Sequence, residues 1–291
     1  MDPWKYRGWD LKSNDVMGQI DEVVQILCLG IHDPYIMDVW GETTIYPRPE
    51  RLANIQGGLA GEFMGLSQAG KSTVHKALAG MRFPPDTLEV SDEFPGMLDL
   101  EADVISFLKK GDLEEANRVY ETLKLQVMRQ TILDQLIWHN RKKITGEKGF
   151  KHKIVYRSAN DLLAFTRILI PGIKPTHDRI QEQLQTWVEA MWYAGETDFV
   201  ILWGITFEEA VHRRILQGLP AYGRIVNPDI WPLVARGYDW WRFYMFKELR
   251  DRFGIGLLTI DGTKSAEHNL RRVKYYVRNC VKLYRALHPD E

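Results

Sequence analysis

The chain has 291 residues, enough to bury a full core as one large domain or as one domain with an extension. Hydrophobic residues make up 45% and charged residues 26%, which disfavours disorder and coiled coils, and a formal net charge of -1 gives no global basic field for a nucleic acid polymer. Cys28 and Cys280 lack the spacing of a disulfide framework or zinc site, and the longest apolar run, 199–207, is too short for a membrane span, so the expectation is a soluble cytoplasmic protein with no membrane contact and with a homodimer left open.

Residues 1–54 are rich in Trp, Asp and Pro and read as an N-terminal extension of unknown role. "NDVMGQIDEVVQILCLG" has helical periodicity, "IMDVWGETTIYP" suggests a hairpin, and "PRPERLANIQGG" reads as a linker. From Leu59 onward short apolar runs alternate with long amphipathic segments, the pattern of an α/β domain covering 55–291. Strands are expected near 59–64, 87–91, 153–157, 198–204 and 256–260. Helices are expected at 71–80, 101–142 with a break near Gly111, 177–195, 207–217, 228–250 and 265–287. The fold class is therefore a three-layer α/β sandwich with a mainly parallel five-stranded sheet.

Between the first expected strand and helix lies "GLSQAGKST", which carries Gly65, Gly70, Lys71 and Ser72 at phosphate-loop spacing. Backbone amides from Gly65 through Ser67, Gln68, Ala69 and Gly70 to Thr73, together with the helix N-terminus, are placed to cradle phosphates. Lys71 would reach the terminal phosphates of a nucleoside triphosphate, and the Ser72 hydroxyl would ligate Mg2+.

Four further stretches bear on where the last phosphate goes. In "LEVSDEFPG", Asp92 or Glu93 could take a proton from an attacking hydroxyl or hold Mg2+ through water, or the turn simply faces solvent. In "IVYRSANDLLAF", Arg157 either clamps a phosphate or pairs with Asp161 at the surface. "DFVILWGITFEEAVHRRILQGLPAYGR" gives a strand, a Thr206 cap and a helix ending in Arg213 and Arg214. Gly218, Pro220, Gly223 and Arg224 follow in a segment suited to a closing lid. Adjacent helix positions differ in direction by about 100°, so one arginine of the pair should face inward, and Arg214 is the one favoured. "GLLTIDGTKS" reads as a strand, a structural turn at Asp261 and Gly262, and a helix capped by Ser265.

In this order the stretches resemble the thymidylate kinase and deoxynucleoside kinase superfamily of P-loop kinases, over residues 59–287. The resemblance implies an ATP- and Mg2+-dependent kinase acting on a nucleoside or nucleoside monophosphate. Lys71, Glu93, Arg157 and Arg214 would carry catalysis, with Arg213 or Arg214 on the donor phosphates. Ser72 and Asp92 would face Mg2+. Glu93, Gln126, Arg157 and Asp161 would line the acceptor, Gln126 reading the base. Tyr156 stands where relatives carry an acid before the arginine, and Met64 where they often carry Glu. The alternative class is a nucleotide-dependent regulatory ATPase that docks a partner.

Overall fold

The computed structural model describes residues 41–55, 57–79, 81–83, 86–91, 97–112, 114–116, 118–120, 122–123, 126, 151–157, 159–169 and 194–289. Apolar runs bounded by turns become strands: β1 (Thr44–Ile45), β2 (Ala60–Gly65), β3 (Thr87–Ser91), β4 (Lys151–Tyr156), β5 (Phe199–Gly204) and β6 (Gly256–Asp261). Every residue of β5 is buried, as a strand covered by helices on both faces must be. The order across the sheet is β1-β6-β5-β2-β4-β3. Neighbours from β2 to β6 run parallel, and β1 adds an antiparallel edge with Thr44 opposite Leu258. Among the described residues the sheet thus has six strands where the sequence predicts five. Residues read as one arm of a hairpin pair instead with β6, while the other arm, like the helical run before it, lies outside the described residues.

Helices α1 (Pro49–Asn54), α2 (Lys71–Leu78), α3 (Met97–Lys110), α4 (Ala159–Leu169), α5 (Phe207–Leu216), α6 (Trp231–Trp240), α7 (Phe246–Phe253) and α8 (Ala266–Leu287) complete the described elements. Alternate residues of β2 show the three layers. Phe63 meets the His75 ring of α2 edge-on at 5.6 Å, while Glu62 points the other way and accepts hydrogen bonds from Asn160 and Asp161 of α4. Thus α2 and α8 cover one face, and α4 and α6 the other. The fold class is the one expected, a three-layer α/β sandwich with a mainly parallel sheet.

Three segments depart from the pattern read in the sequence. The "PRPERLANIQGG" linker contains α1, opened by Pro49 at a first-turn position where a missing N–H costs nothing. Arg51 on α1 donates to Asp198 at 2.7 Å. The expected 228–250 helix is α6 and α7 joined by one π turn, Trp241–Met245. The sequence places no helix at 159–169, where α4 stands. The 101–142 segment breaks at Gly111, φ 72, as read; most of its later part and of 177–195 lies outside the described residues. At the edge of the sheet away from the phosphate loop, the Asp86 carboxylate accepts from Arg285 Nε at 2.8 Å and stands 3.3 Å from His152 Nε2. His152 Nδ1 accepts from the Leu59 amide at 3.0 Å, which puts the ring proton on Nε2, toward Asp86.

Candidate active site

The phosphate loop turns out of β2 at Gly65, where φ is 123°. A Cβ there would lie 2.2 Å from the Trp203 carbonyl oxygen, so both the backbone conformation and the approach to β5 require glycine. The loop continues through Gln68, left-handed at φ 64, to Gly70, left-handed at φ 92, which opens α2 with no capping side chain. First-turn amides of a helix without such a cap form a ready anion site. Ala69 is buried, Ser67 and Gln68 are half-buried, and Ser72 and Thr73 are exposed on the first turn. Lys71 is 3% exposed. Its ammonium donates to the carbonyls of Gly65 at 2.7 Å and Leu66 at 2.5 Å, with the Tyr156 ring centroid 6.0 Å away. That ring, opposite Phe63 in the β2–β4 register, packs edge-on against His75. Lys71 therefore curls into the loop instead of extending into solvent.

Arg157 follows β4 on the same edge of the sheet. It is a non-glycine residue at φ 57, a costly conformation, and its amide donates to the Phe63 carbonyl at 2.8 Å. Its Nε lies 3.6 Å from Asp161 Oδ2, with both side chains buried. The surface salt bridge that the sequence leaves open is thus a buried pair. Asp161 is fully buried, and its Oδ1 accepts from the Gly65 amide at 3.3 Å and the Tyr238 hydroxyl at 2.7 Å. It stands behind Arg157 and the loop rather than on an open face.

Beyond β5, Thr206 caps α5 by accepting from the Glu209 amide at 3.3 Å. Arg213 donates through Nε to Glu209 at 2.8 Å and through a terminal nitrogen to the Gln68 carbonyl at 3.2 Å, and also to the Gly262 carbonyl. Arg214 turns back on its own loop and donates to Pro220 O at 2.9 Å. The arginine that reaches the phosphate loop is therefore Arg213, not the favoured Arg214, because the packing of α5 fixes which of two adjacent positions faces in. Arg224 is exposed. Beyond β6, Asp261 Oδ1 accepts from the amide and hydroxyl of Thr263, and Ser265 caps α8 through the His268 amide at 3.2 Å. The Gly262 amide donates to Gly204 O at 2.6 Å, so this turn is structural and sits against the loop.

Asp92 and Glu93 lie outside the described residues, and Gln126 is helical and half-buried. Sequence reasoning passed over Glu62, Tyr238 and Asp239. An acid inside the apolar run "LAGEFM" is the signal that could have marked Glu62, since a buried carboxylate needs donors. Asp239, on α6 next to Tyr238, is pushed up from 3.8 to about 7 by burial, with Arg242 pulling the other way. Among the described residues, no group of three His, Cys, Asp or Glu stands together as a metal site, and no helix is long and apolar enough to cross a membrane.

No family model matches the chain, and no curated protein matches it. Among solved structures it is similar to deoxyadenosine kinase from M. mycoides with bound dATP, at 13% identity and a TM-score of 0.46, over 75% of this chain and 98% of that one.

Proposed function

We propose that the chain is an ATP-dependent phosphotransferase that moves the γ-phosphate to a nucleoside or nucleoside monophosphate. The observation that carries this reading is the convergence of three cationic side chains from three elements around one phosphate loop. Lys71 comes from α2, Arg157 from the end of β4 and Arg213 from α5. They meet at the C-terminal edge of a parallel sheet, where ligands of such folds bind. Phosphoryl transfer asks mainly for positioned positive charge and alignment, and this arrangement supplies charge from opposite sides. The nucleoside-like acceptor is taken from the resemblance at Glu93, Arg157 and Gln126.

Ser72 offers an exposed hydroxyl next to Lys71, a hard oxygen donor of the kind Mg2+ takes beside phosphate oxygens. Ser72, with Asp92, would hold the ion, which when bound neutralises developing charge on the phosphates. Arg213 would leave the Gln68 and Gly262 carbonyls for the phosphates, and the lid would exclude water that competes with the acceptor.

A regulatory ATPase is the second reading, favoured by one observation: Tyr156, a phenol in place of an acid, stands beside Lys71. A γ-phosphate transfer screen over nucleosides, nucleoside monophosphates and other small metabolites tests the proposal. Phosphorylation of one acceptor class supports it, and slow hydrolysis with every acceptor favours the regulatory reading.

A further inference from the structure

Two carboxylates, Glu62 and Asp161, are fully buried behind the phosphate loop, and burying a charge without partners is costly. Glu62 is accounted for by architecture. Its Oε2 accepts from the Asn160 amide at 3.2 Å and side chain at 2.9 Å, and its Oε1 accepts from the Asp161 amide at 3.0 Å. It fills the N-terminus of α4, the role of a helix cap delivered from another strand.

Asp161 is arranged differently. Its Oδ1 takes two donors from separate elements, the Gly65 amide where the phosphate loop begins and the Tyr238 hydroxyl on α6. Among the described residues no donor reaches its Oδ2 within hydrogen-bond distance. Among the described residues, the Arg157 guanidinium stands 3.6 Å from it, four residues back in sequence. Arg157 is held at φ 57, a strained conformation that persists only where the surroundings impose it. One carboxylate therefore joins the first glycine of the loop, the arginine at the end of β4 and the helix that follows the lid. Tyr238 lies one residue before the start of the π turn's flank at Asp239–Trp240, and Trp241 of that turn donates to Asn160 at 3.2 Å. A π turn of this kind often accompanies a functional site.

We propose that Asp161 is a positioning residue: its Oδ2 charge aims the Arg157 guanidinium at the transferred phosphate, while its Oδ1 fixes the Gly65 amide and is itself set by Tyr238. This rests on the phosphotransferase reading of the site. Asp161 acts through Arg157 and touches neither donor nor acceptor.

Asp161→Asn is the discriminating variant, because the amide oxygen keeps the Gly65 and Tyr238 contacts while the charge facing Arg157 is removed. The expected result is a fall in kcat of roughly 10-fold or more, with the Kd of a fluorescent ATP analogue within about 3-fold of wild type. The double variant Asp161→Asn with Arg157→Ala should be no slower than Arg157→Ala alone, since residues that act as a unit are not additive. Tyr238→Phe, which removes only a hydroxyl, should lower kcat in the same direction by less, and this loss should vanish in the Arg157→Ala background. Multiplying losses in the double variants, or wild-type kcat in both Asp161→Asn and Tyr238→Phe, would overturn the proposal. A wild-type protein that transfers phosphate to no acceptor contradicts the kinase reading instead.

Discussion

At the scale of single residues, the site depends on where a few charges are held. Lys71 is buried, and its ammonium donates to two loop carbonyls and stands over the Tyr156 ring, so its removal should cost function far more than fold. Lys71→Ala is expected to lower transfer by roughly 100-fold or more with an unchanged circular dichroism spectrum. Wild-type turnover in the folded variant would remove the phosphate-loop assignment. Asp239 predicts a pH effect on stability. Its carboxyl is raised from 3.8 to about 7, so the folded protein holds that proton where the unfolded chain has released it. The contribution to stability is complete below pH 3.8 and is lost as pH rises through about 7. Asp239→Asn, which cannot acquire the charge, should therefore melt at a higher temperature than wild type at pH 8, the difference shrinking toward pH 5. An equal difference at both pH values would contradict the assignment.

At the scale of elements, α5 and the loop after it are the proposed lid. Arg213 bridges the loop and the Gly262 turn, whereas Arg214 braces Pro220. Arg213→Ala should reduce turnover by about 10-fold or more, and Arg214→Ala should act mainly on protease sensitivity of 216–226; steady-state kinetics and limited proteolysis of both variants check this. The sequence made the pair visible but not which member faces in, because that depends on how α5 is rotated by the packing of its own Phe207 against Tyr222 and Trp231. β5 was legible because a strand buried on both faces must be apolar throughout. The phosphate loop was legible because its glycines are local requirements. By contrast α4 was not, since the carboxylate that serves its N-terminus is Glu62, 98 residues earlier. α1 was hidden because six residues with Pro at the start look like a linker until Arg51 is seen to dock on Asp198.

At the scale of the whole molecule, the parallel sheet brings together residues spread from Gly65 to Gly262 at one edge, while ties such as Asp86–Arg285 hold the opposite edge. In the proposed function this edge binds ATP with Mg2+ and delivers the γ-phosphate to a small acceptor. Chelation of Mg2+ should then abolish transfer and readdition should restore it, followed by product chromatography; transfer that persists in excess chelator would contradict the metal assignment. The most direct test is the partition of γ-phosphate label from ATP between an acceptor and inorganic phosphate, measured for the wild-type chain with nucleosides and nucleoside monophosphates. Label is expected to accumulate on one acceptor class faster than it appears as inorganic phosphate. Label found only in inorganic phosphate, at the same rate with and without every acceptor, would contradict it.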